Sequence, residues 1–170
     1  MSEIFSGFKI YYSGSIKGSP EPDSELPWKL VRYMMDNGAD VLSEHVAARS
    51  REEMEEIRTR RTALGRLGSQ PWFSVRRQDI LWVDQATHLV ALVNSPSIGV
   101  GMEIQRALDK PKFGLNQTPV LCLIGEGRLP DLSYMVRGIS QDESPSFQLK
   151  TYGDVKQACQ HIFSFLTRQN

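Results

Sequence analysis

Charge of one sign, cysteine, histidine and long apolar runs are all scarce in this chain. Among its 170 residues, 20 lysines and arginines balance 20 aspartates and glutamates, so the formal charge at pH 7 is zero. That balance supplies no general field for gripping a nucleic-acid polymer, although a few cations can still converge on one small anion. It also lowers the electrostatic cost of self-association. The only cysteines are Cys122 and Cys159. They sit in apolar surroundings, far apart and with no CxxC partner, and are expected as buried thiols of a reducing compartment. No stretch approaches the roughly 18 apolar residues of a membrane span, and no basic region followed by an apolar run opens the chain. A cytoplasmic or nuclear location away from membranes is expected. Walker and GxGxxG glycine patterns are missing too, so ATP and dinucleotides are not indicated.

What is present reads as one globular domain over residues 1–170, with 40% hydrophobic and 24% charged residues. Strand and helix patterns alternate. Phe8 to Tyr12 and Asp40 to Leu42 are short apolar runs. Thr87 to Val93 and Pro119 to Ile124 are near-continuous ones, as expected of strands covered on both faces. Phe147 to Leu149 is a last short strand. Leu26 to Asn37 has helical spacing with Gly38 as its cap, and Met102 to Leu108 and Asp154 to Thr167 also read as helices. The expected fold is α/β, a flavodoxin-like or Rossmann-like three-layer sandwich on a five-stranded parallel sheet. Ligands of such sheets bind beyond the carboxyl ends of the strands, where the strand order switches.

The segments leaving those strands hold most of the chemistry. Ser13-Gly14-Ser15-Ile16-Lys17-Gly18 follows the first strand, where small residues let backbone N–H groups approach an anion. A plain strand-to-helix turn has the same composition. After the third strand, Asn94 to Glu103 turns through Ser95-Pro96-Ser97 and enters a helix through Gly99 and Gly101. Ser97 could bond an anion there. Glu103 falls in or near the first turn, where the helix dipole favours a carboxylate, as in any glutamate-led helix. Asp79 lies in Gln78-Asp79-Ile80-Leu81-Trp82, before the third strand, and is either solvated or the partner of Glu103 in a carboxyl pair. His45 follows the second strand, either structural or functional. Ser133, Met135 and Arg137 lie beyond the fourth strand, and Arg137 could bind phosphate or pair on the surface. The charged stretch Ser50 to Leu67 carries a thin stripe of Met54, Ile57, Leu64 and Leu67. It is an amphipathic helix packed on the domain, a lid, or a subunit contact.

Taken in order, YYSGSIKG (Tyr11 to Gly18), EHVA (Glu44 to Ala47), QDILW (Gln78 to Trp82), PSIGVGMEIQRA (Pro96 to Ala107), LCL (Leu121 to Leu123) and SYMVRG (Ser133 to Gly138) resemble the 2′-deoxynucleoside 5′-phosphate N-hydrolases. That family lies within the nucleoside 2-deoxyribosyltransferase-like superfamily. The resemblance implies that Glu103 is the nucleophile of a covalent glycosyl intermediate. It implies that Asp79 supports catalysis near the sugar and departing base, and that Tyr11 lies against the sugar and the nucleophile. Phosphate contacts are implied for Ser15, Ile16, Lys17, Gly18, Ser97 and Ser133, and His45 is placed near the base. Ser13, Gly14, Gly99 and Met135 complete the expected substrate-binding set. In the family the serine matching Ser133 comes from the neighbouring subunit, so a homodimer is implied. No metal and no organic cofactor is expected; the substrate is a small nucleotide.

The implied reaction is a retaining displacement, for which paired carboxyls stand about 5–5.5 Å apart. Lys17 departs from an expected arginine, exchanging a planar fork for a point charge. Arg49 to Phe73 matches the family poorly, which leaves base preference open. The rival readings are a cytidine 5′-monophosphate hydrolase, a deoxyribosyltransferase and a nucleotide-binding module without turnover. Tyr11 favours deoxyribose over ribose, because its hydroxyl would crowd a 2′-OH.

Overall fold

The computed structural model describes residues 3–16, 25–61 and 71–168. Five strands, β1 (Lys9–Ser13), β2 (Asp40–Val41), β3 (His88–Leu92), β4 (Val120–Gly125) and β5 (Phe147–Tyr152), form one sheet. All pairings are parallel, in the order β2-β1-β3-β4-β5. This is the expected flavodoxin-like order, with its switch between β1 and β3.

Side-chain alternation along the strands builds two cores. Ile10, Tyr12, Val90, Leu92, Leu121 and Leu123 point to one face. There they meet Leu30, Val31 and Met34 of α1 (Leu26–Asp36) and Ala158, Ile162 and Phe165 of α6 (Val155–Thr167). Tyr11, Leu89, Ala91, Val93, Val120, Cys122 and Ile124 point to the other. They meet Trp82 and Val83 of α3 (Pro71–Gln85) and Val100, Ile104 and Ala107 of α4 (Ile98–Asp109). Central strands must therefore be apolar at successive positions, which is why β3 and β4 read as unbroken runs. Among the described residues the remaining α-helices are α2 (Arg51–Arg61) and the short α5 (Tyr134–Arg137). No described helix is long and apolar enough to cross a membrane.

Several local expectations change. The α4 helix begins at Ile98, four residues before the expected Met102, because the Ser97 side chain accepts the Val100 N–H as an N-cap. Glu103 consequently lies beyond the first turn, so the helix dipole is not what controls its charge. Strand β5 runs on to Tyr152. Cys159 is only half-buried; Cys122 is buried, and that burial pushes its thiol up to about 12. The i,i+4 spacing of Glu56 and Arg60 suggests a pair within one helix, but Arg60 bonds Glu44 at 3.1 Å, outside its own helix. Leu64 and Leu67 of the expected stripe lie outside the described residues.

Two devices set loop geometry beneath these helices. Gly38 holds φ +99° after α1, and Gly38 N–H and Ala39 N–H close onto Met35 and Met34 carbonyls. A left-handed residue is needed there, and only glycine adopts it cheaply. Lys110 is only 2% exposed, yet its Nζ donates to the Val83 and Ala86 carbonyls at 3.3 and 2.9 Å and to Thr118 Oγ1 at 2.6 Å. It places a cation at the C-terminal end of α3, where the helix dipole favours one.

Candidate active site

Glu103 faces the carboxyl end of β1. Tyr11 Oη donates to its Oε1 at 3.0 Å, and the Ser13 hydroxyl donates to its Oε2. Alternation along β1 aims Tyr11 at the α3–α4 core, which brings the phenol onto α4. The strand end is itself anchored. Ser43 Oγ accepts from Tyr12 N–H at 2.8 Å and donates to the Tyr12 carbonyl at 2.7 Å.

Burial raises the proton affinity of both carboxyls, against different opposing groups. Burial raises the affinity of Glu103 for its proton, while the hydrogen bonds from Ser13 and Tyr11 act to keep it ionised. Asp79, on α3, is pushed up to about 7, chiefly by burial and further by the Glu103 charge, with Arg58 opposing. Burial and the two nearby carboxyls hold the Tyr11 phenol above its usual range, so it remains a donor throughout the neutral range. A carboxyl held by two hydroxyl donors thus lies near a second whose proton affinity is raised, an arrangement able to divide nucleophilic and acid–base work.

His45 is buried in a 3-10 turn (Glu44–Ala47), with its ring 5.5 Å from that of Trp82. Trp82 lies one helical turn beyond Asp79, so the histidine stands on the Asp79 flank of the site. Gly14, Ser15 and the exposed Ile16 follow β1 directly; Lys17 and Gly18 lie outside the described residues. Gly99 and Gly101 each cost a helix about 1 kcal/mol relative to alanine. A side chain at Gly101 would meet nothing within 4 Å, so the chain's own packing does not require its absence.

Ser133 and Met135 stand elsewhere. They line a cavity of about 630 Å³ with Ile98, Met102 and Gln105, on the flank of α4 turned away from Glu103. Ser97, at the helix tip, also opens onto it. Ser133 caps α5 by accepting from Met135 N–H at 3.3 Å. None of Tyr11, Asp79 or Glu103 lines this cavity, so the chain does not bring Ser133 to the carboxyl pair by itself.

Sequence reasoning missed three contributors. Ser43 steadies β1 and carries no local signal beyond following a strand. Asn94 donates to Tyr152 Oη, accepts Gly125 N–H at 2.7 Å and receives Arg128 on its carbonyl at 3.0 Å, joining three strand ends. Arg58 comes from the stretch that matched the resemblance least.

The five-stranded parallel sheet, with its switch point between β1 and β3 and Glu103 bonded to the end of β1, places the chain in the α/β class. No family model matches the chain. It is 32% identical over 158 residues to the 5-hydroxymethyl-dUMP N-hydrolase of Tetraodon nigroviridis, covering 92% of this chain and 97% of that one. It is 35% identical over 145 residues to the enzyme of the same name from Rattus norvegicus, covering 85% and 77%. Among solved structures, the Clostridium botulinum CMP N-glycosidase superposes with a TM-score of 0.57 over 92% of this chain and 98% of that chain, at 14% identity, a likeness of fold. The chain belongs to the 2′-deoxynucleoside 5′-phosphate N-hydrolase family.

Proposed function

We propose that the protein hydrolyses the N-glycosidic bond of 2′-deoxynucleoside 5′-monophosphates, releasing free base and 2-deoxyribose 5-phosphate. The observation that carries this reading is Glu103, held by Tyr11 and Ser13 beside a raised Asp79. An Oε of Glu103 attacks C1′ as the C1′–N bond breaks, and Asp79 delivers its proton to the departing base. Asp79 then takes a proton from water, which attacks C1′ and frees Glu103. The phosphate acts as a remote handle, bound by the loop after β1 and by Ser97 at the α4 tip, and positions C1′. Tyr11 Oη is engaged on Glu103, so in this reading a 2′-OH would have to compete for the same carboxylate.

The curated relatives are named for 5-hydroxymethyl-dUMP, so that nucleotide belongs first in a test panel. Chromatography of incubations with deoxynucleoside and ribonucleoside 5′-monophosphates, beside unphosphorylated nucleosides, should show free base from deoxynucleoside monophosphates alone. Release from ribonucleotides alone would reassign the substrate to the CMP type. No release across the panel would leave a binding module.

The active unit in this reading is a homodimer. Ile98 and Met135, which line the cavity that holds Ser133, are 87% and 82% exposed, and Tyr134 between Ser133 and Met135 in the chain is 83% exposed. Apolar side chains so clustered mark a contact surface. A second copy docked there would bring its Ser133 toward the phosphate side of the Glu103 site. Sedimentation should give a dimer at micromolar concentration, and Tyr134→Asp should weaken it and raise KM more than it lowers kcat. A fully active wild-type monomer would contradict this arrangement.

A further inference from the structure

Among the described residues, the mechanism above assigns no cation to the 5′-phosphate. Arg128 is half-buried just past the carboxyl end of β4, and its Nη1 donates to the Asn94 carbonyl at 3.0 Å. Asn94 is itself fixed, because its side chain donates to Tyr152 Oη and accepts Gly125 N–H at 2.7 Å. Ser97 lies three residues further along the same segment, and Arg128 and Ser97 both line the 630 Å³ cavity. Three residues of chain reach roughly 11 Å at most, so the two groups belong to the same wall.

That wall is rich in donors. A guanidinium carries five N–H groups in a planar fork, and one bond to a carbonyl leaves most of them free. Among the described residues no carboxylate forms an ion pair with Arg128, and the only other ionisable side chain lining the cavity is the exposed Asp131. The Ser97 oxygen already accepts Val100 N–H at 3.4 Å, so its own proton is left to donate. Donors converging without an acidic partner suit an oxyanion. Resting on the hydrolase reading, we propose that Arg128 is a further substrate-binding residue, which with Ser97 holds the 5′-phosphate and so separates nucleotides from nucleosides.

The probe is 2-deoxyribose 5-phosphate, the sugar product common to every substrate in that reading, followed by calorimetry and phosphorus-31 NMR. Arg128→Gln keeps a neutral donor for the Asn94 carbonyl and removes the charge, and it should weaken binding by about 10- to 100-fold. A cation beside the phosphate favours its dianion, so the bound phosphate should titrate lower in the wild type than in Arg128→Gln. Arg128→Lys should regain part of the affinity and most of the titration shift. An arginine that merely braces the loop would leave the phosphate titration unmoved. That outcome, equal affinity in wild type and Arg128→Gln, or no binding to the wild type would overturn the proposal. Where Arg128→Gln fails to fold, weaker binding by Arg128→Lys supports the assignment and unchanged binding overturns it. Wild-type protein that binds the sugar phosphate through Arg128 yet releases no base would sink the hydrolase reading alone.

Discussion

Glu103→Gln should lower base release by about 10³-fold or more, equivalent to about 4 kcal/mol of barrier. The amide keeps the shape of the side chain and can still accept from Tyr11 Oη, so the fold and nucleotide affinity should persist. What disappears is the charge that forms the bond to C1′. The substitution also removes one of the two causes that raise Asp79, so the Asp79 carboxyl should titrate lower in the variant. Rapid-quench product assays measure the first effect, and calorimetry with a deoxynucleoside monophosphate measures retained binding. An active Glu103→Gln enzyme would rule out the covalent step.

Asp79→Asn should cost about 10²–10⁴ in kcat, the usual contribution of a positioned acid–base group. The loss should be smallest for nucleotides whose base departs without a proton. The same change should stabilise the protein, and the pH dependence gives the sign. Burial, and then the Glu103 charge, push the folded Asp79 carboxyl up to about 7 from an ordinary value of 3.8. The folded wild type therefore holds a proton that the unfolded chain has lost, and its stability falls as pH climbs from about 4 to about 7. Asparagine has no such dependence. Its advantage should be small near pH 4 and reach on the order of 4 kcal/mol by pH 8. Urea melts of both proteins at the two pH values test this. An equal difference at both would locate the stabilisation elsewhere.

The sheet was legible because strands buried on two faces leave unbroken apolar runs, as at Leu89 to Val93 and Val120 to Ile124. The start of α4 was not, because Gly99 and Gly101 argue locally for a loop while the Ser97 cap and the packing of Val100 and Ile104 on the sheet override them. Glu103 and Asp79 stood out through the motifs around them, but the burial that raises the proton affinity of both comes from tertiary packing, which no local pattern carries. Ser133 was legible as a residue and not as a location: only the folded chain puts it across α4 from Glu103. Arg58 and Lys110 were invisible because long charged side chains act where they reach, and reach depends on the helices packed around them.

The bonds that hold Glu103 join residues 92 and 90 positions apart, at Tyr11 and Ser13. Chain closure over such distances comes late in folding, after local helices have formed. A nascent chain that has not paired β1 with β3 has no place to seat α4, and its carboxylate stays hydrated and inert. During refolding, recovery of base release should therefore trail the recovery of helical signal, making the chemistry a gauge of whether the centre of the sheet has assembled.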